Sequence, residues 1–133
     1  MDLLVNIDVD DLERAVGFYR EGLGLRVGRR FGEMGVEMLG GSSAVFLLAR
    51  AAGTAASPAT SQERSYARHW TPVHLDIVVE DVEAAQERAR AAGATLEVPI
   101  QTRRWGRIVQ MADPFGHGFC LIQFLGRGYD EIL

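Results

Sequence analysis

"LVNIDVDDLERA" (residues 4–15) and "HLDIVVEDVEAA" (residues 74–85) lie 70 positions apart. Superposed, they pair Ile7 with Ile77, Val9 with Val79, Asp11 with Asp81, Glu13 with Glu83 and Ala15 with Ala85. A repeat at this spacing in a chain of 133 residues means two copies of one structural unit. Each copy opens on alternation: Val5, Ile7 and Val9 are out of phase with Leu4, Asn6 and Asp8, as in a strand with two different faces. A helical period follows. Leu12, Val16, Tyr19 and Leu23 form an apolar stripe in the first copy, and Val82, Ala85, Ala89 and Ala92 form its counterpart in the second. Asp10 and Glu13 have the spacing of a capping box, and glycines close both runs, Gly22 and Gly24 in one and Gly93 in the other.

Three strand-like segments follow each helix. They are "LRVGRRF", "GVEMLG" and "SAVFLLA" in the first copy, then "TLEVPI", "WGRIVQMAD" and "FCLIQF" in the second. Each unit therefore reads β-α-β-β-β. The spacing predicts a first module over 1–50, a connection over 51–68, a second module over 69–126 and a tail over 127–133, all within a single domain. The connection, "AAGTAASPATSQERSYAR", is small, polar and without period, the composition of a flexible link. A four-stranded sheet with one helix has one bare face. The expected fold is thus α+β, two βαβββ modules whose curved mixed sheets enclose a shared cavity for a small molecule.

Bulk properties exclude other classes. A net charge of −4 and a pI near 5.3 offer no basic footprint for nucleic acid. One cysteine permits no internal disulfide, and no apolar span is long enough for a membrane helix, so the expectation is a cytoplasmic protein with neither nucleic-acid nor membrane partners. No phosphate loop and no serine elbow is present.

"VDDLERAVGFYREGLGL" (9–25) resembles the strand-helix signature of the vicinal oxygen chelate superfamily, and "MADPFGHGFCLIQF" (111–124) is similar to its closing hairpin. That superfamily includes glyoxalases, bleomycin-resistance proteins and extradiol dioxygenases, and the resemblance covers nearly the whole chain. In its metal-dependent members it implies four ligands, one from the first and one from the last strand of each module. Those places fall on Leu4, on Phe46 or Leu47, on His74 and on Cys120. Leucine and phenylalanine supply no donor, and His74 with Cys120 makes half a zinc site that water, Asp8 or Asp76 would have to complete. The expectation is accordingly no metal and no cofactor.

The candidate ligand-binding residues are Asn6, Asp8, His74, Asp76, Trp105, Arg107 and Cys120. His74 and Asp76 are out of phase with Leu75, Ile77 and Val79, so they face the cavity if those three pack under the helix. The pair reads either as a histidine held by a carboxylate for structure or as a donor and general base poised near neutral pH. Cys120 reads first as a small buried hydrophobe and second as a thiolate that a nearby cation would have to activate. Arg103, Arg104 and Arg107 around Trp105 read as a solvated rim or as a grip on an anionic, planar ligand, with Trp105 and Arg107 on one face by alternation. His117 belongs to the turn "DPFGHG" and reads as structural. The expected function is a glyoxalase/bleomycin-resistance-like homodimer that binds a small aromatic or anionic molecule. The alternatives are a metal-dependent lyase of glyoxalase type and a metal-free acid-base enzyme using His74 and Asp76. No catalytic residue is assigned from sequence.

Overall fold

Alternation followed by helical period produces the same element order twice. The computed structural model describes every residue of the chain. Its first unit, Met1–Ala67, holds β1 (Val5–Val9), α1 (Leu12–Glu21), β2 (Arg26–Arg30), β3 (Gly35–Leu39) and β4 (Val45–Ala49). The second, Arg68–Leu133, holds β5 (Leu75–Val78), α2 (Val82–Ala91), β6 (Thr95–Thr102), β7 (Gly106–Ala112), β8 (Gly118–Phe124) and a short 3-10 helix over Gly128–Ile132. The sheets have matching strand orders, β1-β4-β3-β2 and β5-β8-β7-β6. In each, the first strand runs parallel to the last and the remaining neighbours are antiparallel. These are the two expected βαβββ modules, and the fold is α+β. Neither helix is long and apolar enough to cross a membrane.

Each helix starts on the aspartate of the repeat. The extended backbone of Asp11 lets its side chain accept the Arg14 amide at 3.1 Å, and Asp81 likewise accepts from Glu83 and Ala84 at 3.1 and 3.0 Å. This moves the cap one residue from the expected Asp10, because the chain is still extended at Asp11. The amphipathic faces then bury Ala15, Val16, Phe18 and Tyr19 of α1, and Val82 and Ala89 of α2. Gly93, with φ +117°, turns the chain out of α2 into β6.

Each core lies between a helix and one sheet face. In the first module Val9, Val36, Met38 and Leu47 are fully buried there, and in the second Val109, Met111 and Leu121. Side chains of laterally paired residues share a face, so the register fixes what the opposite, helix-free face carries. In the first module it carries Asn6, Phe46 and Glu37 in a row, then Asp8, Leu48 and Gly35. In the second it carries Asp76, Cys120 and Gln110, then Val78, Ile122 and Ile108.

The 51–68 connection is tied down by hydrogen bonds. Arg64 Nε donates to Asp8 at 2.7 Å, and its terminal nitrogens donate to Thr54 Oγ1 and to the carbonyls of Ala55 and Ala56. The Tyr66 hydroxyl donates to the Arg50 carbonyl at 2.6 Å. A segment without hydrophobic period is thus organised by one arginine reaching β1.

Candidate functional site

The second module's helix-free face gathers three of the expected residues. His74 directly precedes β5, and its Nε2 lies 3.1 Å from Asp76 Oδ1, both side chains being partly exposed. Cys120 is the lateral partner of Asp76 on β8 and is buried. One donor atom from each of His74, Asp76 and Cys120 lies within 4.8 Å of the others. Burial is the chief cause that pushes the Cys120 thiol up to about 11. The charge of Asp76, the hydrogen bond the thiol makes to it and the charge of Glu97 act in the same direction. The thiol is therefore protonated near neutral pH and is a hydrogen-bond donor there, not a nucleophile.

Beside this trio stand residues that periodicity did not single out. Arg68 Nε and NH2 meet both carboxylate oxygens of Glu97, at 2.6 and 2.9 Å, and Gln110 donates to Glu97 at 3.2 Å. Arg68 lies across Gly118, where a methyl group would come within 2.5 Å of its guanidinium, so the missing side chain makes room for it. The row thus continues from Asp76 through Cys120 and Gln110 to the Glu97–Arg68 pair. Arg68 comes from the connection, whose composition carries no period, so periodicity holds no sign of it.

Trp105 and Arg107 part company. Arg107 pairs laterally with Gln123, and both reach α2: Arg107 NH2 donates to Glu83 at 2.7 Å, and Gln123 Oε1 accepts the Val82 amide at 3.1 Å. Arg107 therefore belongs to the helix-covered side. Trp105 precedes β7, so strand alternation does not govern it. Its ring packs 5.0 Å from Tyr129 and 6.3 Å from Phe124, which shares the side of β8 that carries Cys120. The expectation of one shared face is corrected by this arrangement, in which Tyr129 of the tail completes an aromatic trio.

The first module's helix-free face differs in chemistry. Asn6 occupies the place of Asp76, and Phe46 that of Cys120, since Phe46 is the lateral partner of Asn6. The choice between Phe46 and Leu47 is thereby settled, Leu47 being fully buried on the helix side. Asp8 is committed to Arg64 at 2.7 Å. Glu37, next to Phe46 on β3, is buried and accepts from the Arg29 backbone amide at 3.0 Å and from its Nε and NH2 at 3.0 and 2.7 Å. A β-bulge between Val27 and Arg30 makes this possible by turning Arg29 toward the same side as Glu37. Gly28 has to be small, because a methyl group there would meet Glu37 Oε2 at 2.7 Å. The one sequence sign of the pair was a carboxylate inside the otherwise apolar "GVEML".

The Arg29 hydrogen bonds are the largest cause that lowers Glu37 to about 2. A carboxyl held lower in the folded than in the unfolded protein adds stability above its unfolded value, near 4.5. That contribution is lost as the pH falls toward about 2. In a carboxyl-selective NMR titration Glu37 is expected to stay ionised through pH 3, and Arg29→Ala to move its midpoint upward. A midpoint near that of exposed glutamates in the unchanged protein would refute the pairing.

The comparisons with known proteins agree with this geometry. A family model described as a glyoxalase-like domain matches residues 4–122. The uncharacterised protein Mb0911c of Mycobacterium bovis is 44% identical over 54 residues, 40% of this chain and 36% of the relative. The matching stretch thus spans about a third of the curated relatives' length. Among solved structures, a glyoxalase/bleomycin resistance protein/dioxygenase family enzyme from Burkholderia phytofirmans has a TM-score of 0.73 at 20% identity, covering 94% of this chain and 100% of that one. A genomically encoded fosfomycin resistance protein of Listeria monocytogenes gives 0.71 at 18%, covering 98% and 96%. TnmS3, an antibiotic binding protein from Streptomyces, gives 0.67 at 22%, covering 94% and 96%. With two βαβββ modules and a family model matched from the first strand to the last, the chain belongs to the glyoxalase-like domain family of the vicinal oxygen chelate superfamily.

Proposed function

We propose that this protein binds a small aromatic or anionic molecule on the helix-free faces of its sheets, without a metal. The observation that carries the proposal is the pair of lateral contacts Asn6–Phe46 and Asp76–Cys120. They place a phenyl ring and a protonated thiol at two of the positions where the resemblance implies chelating side chains, and Leu4 takes a third. On the first module's face Phe46 supplies ring surface and Asn6 hydrogen bonds, and on the second module's face Phe124 and Trp105 supply ring surface and His74 and Asp76 hydrogen bonds. This is the mixture of apolar wall and few polar groups that small-molecule sites use. The antibiotic binding protein and the fosfomycin resistance protein among the structural neighbours support the small-molecule part of this reading. A cytoplasmic homodimer of two chains related by a twofold axis goes with it, and light scattering reads the mass directly.

The test is amide chemical-shift mapping with a panel of planar acids, amides and amines. The expected result is saturable shifts in β1, β4, β5 and β8. Shifts confined to α1 and α2, or none from any compound, would contradict the proposal.

A second reading, the metal-dependent lyase, draws on the convergence of His74, Asp76 and Cys120. Three donors of these types fit zinc with one position left for substrate, and a bound zinc would supply Lewis-acid polarisation of a substrate oxygen. His74, Asp76 and Cys120 would hold the zinc from the second module. Against it stands the Cys120 thiol, held protonated by burial and by Asp76. A metal would have to displace that proton.

A further inference from the structure

We propose that the helix-free face of the first module is a site for a small aromatic carboxylate, with Arg29 and Arg26 receiving the carboxylate and Phe46 and Phe31 the ring. This rests on the small-molecule reading above and names its ligand class.

Arg29 is held by one edge of its guanidinium. Glu37 takes its Nε and NH2 at 3.0 and 2.7 Å, which fixes the plane of the guanidinium and leaves NH1 without a partner. The guanidinium is mostly exposed, whereas Glu37 is buried beneath it. A planar donor fork already fixed in orientation has little rotamer freedom left to lose, and its free edge matches the two oxygens of a carboxylate. Arg68 in the second module offers no such edge. Its remaining nitrogen donates to the carbonyls of His69 and Gly116.

Charge decides what would approach. Glu37 cancels the charge of Arg29, but Arg26 is the lateral partner of Leu39, on the same face, and has no ion pair. Asp8, the other carboxylate among the strand residues of this face, is neutralised by Arg64. Arg30 points away, to Glu13 of α1 at 2.8 Å. The face thus keeps one positive charge in excess beside an open guanidinium edge. That balance suits a monoanion better than a phosphate dianion, which the Glu37 carboxylate would repel.

Ring surface adjoins the charge. The Arg29 Cζ lies 5.7 Å from the centroid of the Phe31 ring, and the Phe31 and Phe46 rings are 6.1 Å apart, tilted by 34°. Phe31 lies over this face beside Gly35, whose added methyl would sit in ordinary contact with the ring at 3.9 Å. Guanidinium, Phe31 and Phe46 follow one another, so a ligand with its carboxylate at Arg29 would lay its ring against phenyl faces.

The probe pair is 2-naphthoate and 2-naphthamide, equal in shape and different in charge, titrated by amide chemical shifts on the whole chain. Naphthoate is expected to bind at least tenfold more tightly than the amide, with shifts in β2, β3 and β4. Arg29→Gln should bring the two affinities together, and Phe46→Ala should weaken both. Arg26→Gln replaces an exposed, unpaired side chain and leaves the fold alone; it should weaken the acid about threefold or more and spare the amide. Equal affinities for acid and amide would overturn the proposal while leaving small-molecule binding in place. So would naphthoate shifts confined to the second module. No shift on either sheet face from these or any other planar compound would overturn the binding reading as well.

Discussion

Asp113→Ala is expected to lower the stability of the second module by about 3 kcal/mol. The carboxylate is nearly buried, at 4% exposure, and its Oδ1 accepts the amides of Phe115 at 2.8 Å and His117 at 2.9 Å. The backbone closes the same turn, with the Asp113 amide donating to the His117 carbonyl at 2.8 Å. Phe115 is fully buried, so the amide that loses its acceptor has little access to water to replace it. Hydrogen bonds to a charged acceptor contribute about 1.5 to 3 kcal/mol each, and an amide left unsatisfied adds its desolvation cost. Both tryptophans, Trp70 and Trp105, lie in this module, so tryptophan fluorescence during urea unfolding follows it selectively. Asp113→Asn keeps an acceptor and should restore most of the loss. A midpoint for the alanine variant within about 0.5 kcal/mol of the unchanged protein would show that the turn holds without the carboxylate.

Alkylation of Cys120 provides the second large effect. With the thiol pushed up to about 11, roughly one molecule in a thousand carries the thiolate at pH 8, against about one in four for an unperturbed cysteine near 8.5. Iodoacetamide is expected to react roughly two orders of magnitude more slowly than with a free thiol, before any obstruction by burial. Asp76→Asn removes a carboxylate charge that contributes to the shift and should speed the reaction, though burial, the larger cause, remains. A rate within a few-fold of a free thiol would mean that Cys120 is activated, and the acid-base and metal readings would gain.

The parts of the fold that the sequence disclosed are those written in periodicity. Residues 4–15 and 74–85 revealed the repeat, and the alternation in each gave the two faces of β1 and β5, hence the meeting of His74 and Asp76; the place of Cys120 beside them was what the superfamily resemblance implied. Where alternation fails, the reading failed or stayed open. "AVFLLA" is apolar on both sides, so no pattern distinguishes Phe46 from Leu47; the parallel pairing with β1 does. Trp105 lies outside β7, so counting from Arg107 put it on the wrong side. The Arg29–Glu37 pair depends on a bulge, which moves one side chain across the sheet and leaves in sequence only a glycine at position 28. Arg64 and Arg68 act over long separations from a segment chosen by hydrogen bonding, not by burial. Hydrophobic pattern carries no record of such contacts.

The central claim is that binding needs the sheet faces and no metal. Its most direct test is the dissociation constant of one planar aromatic acid, measured by calorimetry on chelator-treated protein and again on zinc-loaded protein. The two values should agree within about twofold. Binding that vanishes after chelation and returns with one zinc per chain would contradict the claim and make His74, Asp76 and Cys120 a metal centre.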